Sequence, residues 1–255
     1  RRLAREGKIR YFGGKQELIR LGQFRDVDLA MMIHTGPGRK ATLRTSMNGF
    51  VSHDVTFTGR AAHAGLSPHR GVNALNAALL ALQAIQALRE TFPPEHAVRV
   101  HSIIRKGGES VNTVPADVQV ETMVRAHTVE AIRETDARVK RCYQAGALAV
   151  GGAVSIESLP GYLPLHNCRP LSELFARHAR PFVGEQGLQE AGHLASSTDM
   201  GDVTQIMPAI HPGLGGAEGH AHASDFRVTD PDLAYCAPAK ILAMCAISLL
   251  ENGAA

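Results

Sequence analysis

Residues 49–71 read GFVSHDVTFTGRAAHAGLSPHRG, and they decide the fold of the middle of the chain. Up to Phe57, apolar and polar residues alternate, which is the pattern of a half-buried strand. From Val72 to Arg89, Ala and Leu then recur at helical spacing. The small-residue loop between these segments carries His63, with Gly59 and Gly65 on either side. It predicts a flexible backbone that presents a titratable group.

From Gly49 to about Leu159 the pattern continues as strand, helix, strand, strand, helix, strand. The later segments are strands at 98–105, 117–125 and 153–159 and a helix at 128–150. This order is that of the ferredoxin-like split arrangement, in which two helices cover one face of a four-stranded antiparallel sheet. A second small-residue loop, GGESVNTVP at 107–115, joins two of the strands. We expect a self-contained unit inserted between two pieces of another domain.

The flanking pieces have α/β character. The pattern predicts a short helix at 14–22, a buried strand at 27–33 followed by a TGPG turn, and a helix at 171–178. A short strand, QIMP, is expected at 205–208, and a final helix begins at Asp230-Pro231, an N-cap followed by proline.

Two groups of histidines in these pieces leave alternatives open. His34 directly follows the predicted strand at 27–33, where open α/β sheets place their ligands, although it could also end a strand without chemistry. The glycine-rich stretch 209–224 carries His211, His220 and His222 and predicts a long loop. His220 and His222 are two residues apart and could both reach a metal ion, or the loop could simply be solvated.

Composition argues against several classes of protein. The net charge of +3, the absence of Trp and 5% aromatic residues disfavour a nucleic-acid binder. No run approaches about 18 uninterrupted apolar residues, so a membrane span is not expected. The four scattered cysteines are typical of reduced thiols in a cytoplasmic protein, and the basic start RRLAREGKIR lacks the apolar core of a signal peptide.

The segments TGRAAHAGLSPHRGVNAL and GGESVNTVPADVQVETMVR resemble the lid, or dimerisation, domain of the metallopeptidase family that includes aminoacylase, carboxypeptidase G and the auxin-conjugate hydrolases. The flanking pieces FGGKQELIRLGQFRDVDLAMMIH and SSTDMGDVTQIMPAIHPGLG resemble its aminobenzoyl-glutamate hydrolase and dipeptidase-like branch. The resemblance starts at Phe12. It implies an α/β catalytic domain at 1–46 and 163–255, interrupted by a lid at 47–162.

The resemblance also implies chemistry. It predicts a site with two metal ions, zinc or else manganese or cobalt, that activates water for amide hydrolysis. His34 and His222 match metal ligands, and His63 matches the lid histidine that donates to the tetrahedral oxyanion across a dimer. Asn112 matches the lid asparagine that holds polar groups of the substrate, and Asp199 lies in a segment that lines the site. We therefore expect a homodimer acting on N-acyl amino acids or small peptides.

The chain departs from this pattern at its start. Ile9 and Arg10 stand where the family has a general-base glutamate and an acidic ligand, and Glu6 is the only acid nearby. The first ligands of the family belong to a preceding half, so a truncated hydrolase is the expectation. The alternative is a catalytically inactive fragment that acts as a dimerisation or interaction module.

Overall fold

The computed structural model describes residue 3, residues 6–220 and residues 223–251. The chain divides into two compact units, one formed by Arg1–Met47 with Leu165–Ala255 and the other by Asn48–Pro164. We call them the split unit and the lid unit. Their breaks lie at 47/48 and 164/165, and the sequence predicts breaks at 46/47 and 162/163.

The lid unit contains four long strands and two helices in the predicted order. They are β4 (Gly49–Thr58), α2 (Ala74–Leu88), β5 (Arg99–Lys106), β6 (Asp117–Ala126), α3 (Val129–Ala149) and β7 (Ala153–Pro160). The strands form one antiparallel sheet in the order β5-β6-β4-β7. The predicted α/β class with a split lid is confirmed.

Periodicity and capping explain these elements. In β4 the alternate residues His53, Val55 and Phe57 are fully or almost fully buried, so one face of the sheet belongs to the core. The carboxamide oxygen of Asn73 accepts the N–H groups of residues 75 and 76 at 2.9 and 3.0 Å, which begins α2. The hydroxyl of Thr128 accepts the N–H of residue 131 at 3.1 Å and begins α3 in the same way.

Small residues let α2 and α3 pack closely. Ala77 and Ala81 of α2 are buried, and they face Gly146 of α3. A methyl group added at Gly146 would lie 2.4 Å from the carbonyl oxygen of Ala77 and 2.8 Å from the Cβ of Ala81. The helix–helix spacing therefore depends on the missing side chain at this position.

Within the described residues, the split unit contains one short helix and three strands before the lid, and its other elements follow the lid in the chain. The elements are α1 (Gly14–Arg20), β1 (Ala30–Met31), β2 (His34–Pro37), β3 (Ala41–Met47), β8 (Leu165–His166), α4 (Arg169–Val183), β9 (Leu188–Leu194), α5 (Met200–Val203), β10 (Ala209–Ile210), β11 (Gly213–Glu218), β12 (Arg227–Val228) and α6 (Ala237–Glu251). One π-helical turn, Asp232–Cys236, precedes α6.

Strand β11 joins the split unit together. It pairs in parallel with β2 and in antiparallel with β3 and β12, while β1 pairs in parallel with β10. Strand β3 also pairs in parallel with β9 and in antiparallel with β8. The result is a mixed six-stranded sheet, with β1 and β10 as a separate two-stranded sheet. Helices α4 and α6 contribute Phe175 and Ile241, both fully buried, to the core of this unit.

Four expectations for this unit are wrong. The strand predicted at 27–33 is limited to Ala30–Met31 because it has only the two residues of β10 to pair with. The first three residues of the predicted TGPG turn, 35–37, belong to β2 and the chain bends only from Gly38, and QIMP at 205–208 lies outside the strands. The stretch at 209–224 is not one long loop, because residues 209–210 and 213–218 are buried strand residues apart from Glu218.

The carboxyl-terminal helical segment Asp232–Glu251 is long and apolar enough to cross a membrane by length and composition, with a mean hydropathy of 1.8. Core helices of soluble proteins meet the same criterion. Here Leu233, Ala237, Ile241 and Cys245 belong to the core of the split unit. The packing accounts for these four residues, whereas 28% of the most apolar window of the segment is buried in all.

Replacing Gly146 with valine should destabilise the lid unit by about 1–3 kcal/mol, because the added carbons collide with backbone and Cβ atoms of α2. Denaturant unfolding measures the change. The matched control is Ala145→Val, at an exposed position of the same helix, which should cost about 0.5 kcal/mol through helix propensity alone. Equal losses for the two variants would contradict close packing at Gly146.

Candidate active site

Strand pairing in the split unit brings two histidines together. Strands β1 and β10 run in parallel, with Met31 opposite Ile210, and the chain continues beyond their carboxyl ends to His34 and His211. The centroids of the two imidazole rings lie 5.9 Å apart at an interplanar angle of 51°. This edge of parallel strands is where α/β proteins commonly bind ligands.

The hydrogen bond of His34 defines its tautomer. Its Nδ1 lies 2.8 Å from the carbonyl oxygen of Thr35, which can only accept, so Nδ1 carries the proton. In the neutral ring Nε2 then keeps its lone pair, and the side chain is exposed. A histidine that ligates a metal usually donates its other ring N–H to such a carbonyl. His34 thus meets the requirement for the predicted metal ligand.

His211 is in a different environment. Its side chain is only 3% exposed, and neither ring nitrogen has a hydrogen-bond partner in the described part of the chain. Burial, assisted by the nearby charges of Arg44, His34 and Lys15, lowers the pKa of His211 to about 4. The ring is therefore neutral at neutral pH.

Asp199 lies near this pair but is itself engaged. Its carboxylate accepts from Nζ of Lys15 at 2.8 Å and from the Lys15 backbone N–H at 3.2 Å. The neighbouring Asp202 accepts from the side chain of Gln16 at 2.9 Å. Together these bonds attach the start of α1 to α5, and they pair the carboxylate of Asp199 with Lys15.

In the lid unit, two loops are joined into one structure. The N–H of Ala64 donates to the carbonyl of Asn112 at 3.0 Å, the N–H of Val114 donates to the carbonyl of Ala62 at 3.0 Å, and His63 forms an antiparallel bridge with Thr113. The predicted residues His63 and Asn112 are therefore neighbours at one end of the sheet. Both are exposed, and the carboxamide of Asn112 makes no hydrogen bond within the described residues.

His63 has the opposite tautomer to His34. Its Nδ1 accepts the backbone N–H of Leu66 at 3.0 Å. Because an N–H can only donate, Nδ1 must be unprotonated and the neutral ring carries its proton on Nε2. That N–H has no partner among the described residues, so a fixed loop presents a hydrogen-bond donor.

The described residues do not form a complete metal centre. Within residues 3, 6–220 and 223–251, no group of three or more His, Cys, Asp or Glu side chains is placed to hold a metal ion. The predicted ligand His222 lies outside the described residues, and His220 contacts Asp225 at 3.1 Å. At the start of the chain, Glu6 pairs with Lys8 at 2.7 Å. The structure thus leaves the roles assigned to His34, His63, Asn112, Asp199 and His222 as predictions.

Sequence reasoning missed two features of this region. It did not identify Arg44 as a candidate, and it did not predict that His211 is buried. The glycine-rich composition around His211 predicts a loop, and the burial follows from pairing with β1 and β2. Arg44 lies in β3, which the sequence pattern did not identify as a strand. One signal for His211 was available in the sequence. The residues IHP at 210–212 resemble IHT at 33–35, and in both a histidine directly follows an isoleucine.

Comparison with known proteins finds similar hydrolases. A model described as the peptidase dimerisation domain matches residues 45–148. The chain is 31% identical to mouse Xaa-Arg dipeptidase over 252 residues, which is 93% of this chain and 56% of the relative. It is 32% identical to one of the p-aminobenzoyl-glutamate hydrolase subunits of Escherichia coli over 173 residues, 62% of this chain and 35% of the relative.

Solved structures agree on the fold. The aminobenzoyl-glutamate utilization protein from Klebsiella pneumoniae superposes with a TM-score of 0.69 at 20% identity, covering 91% of this chain and 57% of that chain. These similarities support the predicted resemblance to a family of metallopeptidases and amidohydrolases. The chain spans about half the length of the curated relatives that it matches.

Acid should destabilise the metal-free protein through His211. Below the ordinary histidine pKa of about 6.5 the unfolded chain takes up a proton, whereas folded His211 does so only near pH 4. The free energy of unfolding should therefore fall as the pH drops through this window, by up to about 3 kcal/mol from this residue. Urea unfolding between pH 7 and 4 in the presence of a chelator measures it.

The variant His211→Gln should lose this component of the pH dependence, whatever its stability at pH 7. His101→Gln, at an exposed position, should keep the wild-type slope. Parallel pH profiles for wild type and His211→Gln would show that His211 is not held neutral by burial.

Proposed function

We propose that this protein is a metal-dependent amidohydrolase that cleaves the amide bond of N-acyl amino acids or small peptides, with aminobenzoyl-glutamate-like compounds or dipeptides as substrates. The observation that carries this proposal is the tautomer of His63, whose Nε2–H is an unused donor on a fixed loop. The similarity over 93% of the chain to a relative named as a dipeptidase supports the substrate class.

The split unit and the lid unit each offer side chains for this chemistry. In a complete site, bound metal would supply activated water and polarise the scissile carbonyl, and the bare Nε2 of His34 is suited to holding such a metal. The Nε2–H of His63 would donate to the oxyanion that forms when water attacks. The exposed carboxamide of Asn112, next to His63, would hold polar groups of the substrate.

The first test is direct. Purified protein should contain zinc, manganese or cobalt and hydrolyse p-aminobenzoyl-glutamate or an Xaa-Arg dipeptide, and a chelator should abolish the turnover. Absence of both metal and hydrolysis would refute the enzymatic proposal for this chain.

Replacing His63 with alanine should lower kcat by about 10²–10³, the usual loss when one oxyanion donor is removed. The melting temperature should hardly change, since the side chain is exposed. His69→Ala is the matched control, because His69 is an exposed histidine in the same loop and should leave kcat unchanged. Equal turnover in wild type and both variants would exclude His63 as the donor.

A second candidate function, dimerisation through the lid, has its own observation. Strand β5 is an edge of the lid sheet and pairs only with β6 among the described strands. It exposes Ile103 by 55% and Ile104 by 41%, and α2 exposes Leu79 by 46% and Leu80 by 47%. An exposed apolar edge strand is a template for pairing with another chain. We propose a homodimer in which a second copy covers this edge.

Sedimentation of the full chain at micromolar concentration should give a dimer. Ile103→Glu should shift it toward monomer, because a charge would be buried at the new interface. The opposite edge offers the control, Ser155→Glu in β7, which should leave the dimer intact. A wild-type monomer at high concentration, or equal effects of both variants, would contradict pairing through β5.

A further inference from the structure

Arg44 occupies an unusual position in the split unit. It lies in β3 where the register with β9 shifts on both sides of the residue, and such irregularities commonly re-aim a side chain. The guanidinium is partly buried and lies over the 211–213 backbone, with Nη1 at 3.4 Å from the carbonyl oxygen of His211. A methyl group at Gly213 would be 3.1 Å from Nη2, so glycine leaves the space that the guanidinium uses.

Within the described residues, no carboxylate lies within 4 Å of Arg44. A guanidinium that gives up part of its hydration normally gains a carboxylate or another oxygen ligand in exchange. In the described part of the chain the guanidinium makes one hydrogen bond, to the carbonyl of His211, which leaves most of its five N–H donors available.

Asn167 fixes Arg44 relative to His211. Its side-chain Nδ2 donates to the carbonyl of Arg44 at 2.7 Å, and its Oδ1 accepts the backbone N–H of His211 at 2.8 Å. Its own N–H donates to the carbonyl of Thr45 at 3.0 Å. A single carboxamide thus holds two strands of the sheet in one arrangement, which is a preorganised support for a binding site.

The ring of His211 is the second indication of a ligand. It is almost completely buried, and both of its nitrogens lack partners within the described chain. Buried polar groups are nearly always hydrogen-bonded, so an unsatisfied one calls for a missing partner.

The charges favour an anion as that partner. Arg44 and Lys15 are the cations near His211, and the neighbouring acid, Asp199, is already paired with Lys15 at 2.8 Å. Among the described residues, Arg44 is therefore the cation near His211 that has no acid paired with it.

We propose that Arg44 and His211, positioned by Asn167, form a subsite for a carboxylate. Arg44 contacts both carboxylate oxygens through parallel N–H groups, and the ring of His211 donates one further hydrogen bond. The subsite deepens the proposed function and rests on it for the identity of the ligand, which is the carboxylate of the amino-acid part of the substrate. Arg44 and His211 are then specificity residues, and Asn167 is a positioning residue.

The test uses the full chain with N-acetylglycine as the probe and N-acetylglycinamide as its uncharged counterpart. Titrations are followed by NMR of ¹³Cε1-labelled histidines, with the His211 signal assigned from His211→Gln. N-acetylglycine should shift the His211 signal and bind at least about tenfold more tightly than the amide, the size expected for a charge-assisted hydrogen-bond pair. Equal binding of the two probes to the wild type would overturn the proposal without any variant.

Variants locate the interaction. Arg44→Met should weaken N-acetylglycine binding about tenfold or more, and Arg44→Lys should give an intermediate loss because lysine lacks the planar fork. The matched control is Arg39→Met, since Arg39 is exposed in the same unit and paired with Asp230 at 2.6 Å. It should bind like wild type. Unchanged binding by a folded Arg44→Met protein would also overturn the proposal.

The outcome separates this inference from the proposed function. Arg44-dependent carboxylate binding without amide hydrolysis would support the subsite and count against the enzyme. Hydrolysis with a KM that is unaffected by Arg44→Met and Arg44→Lys would support the enzyme and overturn the subsite.

Discussion

The pairing of β2 with β11 is the constraint on which the split unit depends. The two strands belong to opposite ends of the chain, and their register places His34 opposite Gly213. Strand β11 can enter the sheet because three of its six residues are glycine. A methyl group at Gly215 would lie 1.9 Å from the carbonyl oxygen of Gly38, a distance that no side chain can meet. The same register sets the position of His211 and leaves room for Arg44, so one backbone contact organises the candidate site.

The lid could be predicted from the sequence because each of its strands and helices shows a pattern within a short stretch of the chain. Alternation in β4 and helical spacing in α2 and α3 each identify an element within a window of about 10–20 residues. The order of the elements then permits few topologies. The two loops that hold His63 and Asn112 could be recognised too, since each interrupts a strong pattern with small residues.

The split unit could be predicted only in outline because its strands are defined by partners far away in the chain. Strands β1 and β10 have two residues each, too few to show a period. Strand β11 has two apolar side chains, Leu214 and Ala217, among three glycines and a glutamate, so its burial has only a weak signature in hydropathy. For this reason the sequence around His211 predicts a solvated loop, although the residue is buried. Arg44 becomes a candidate only in the fold, which places it near an imidazole without hydrogen-bond partners among the described residues.

The two exposed histidines, His34 and His63, show how one residue type serves opposite chemistry. A carbonyl at Nδ1 makes His34 an electron-pair donor at Nε2, whereas an N–H at Nδ1 makes His63 a proton donor at the same atom. For His63 this has a mechanical side. The hydrogen bond from the N–H of Leu66 places the proton of the neutral ring on Nε2, and the same bond closes the turn at residues 63–66. One contact therefore sets both the tautomer of the imidazole and the shape of the loop that carries it.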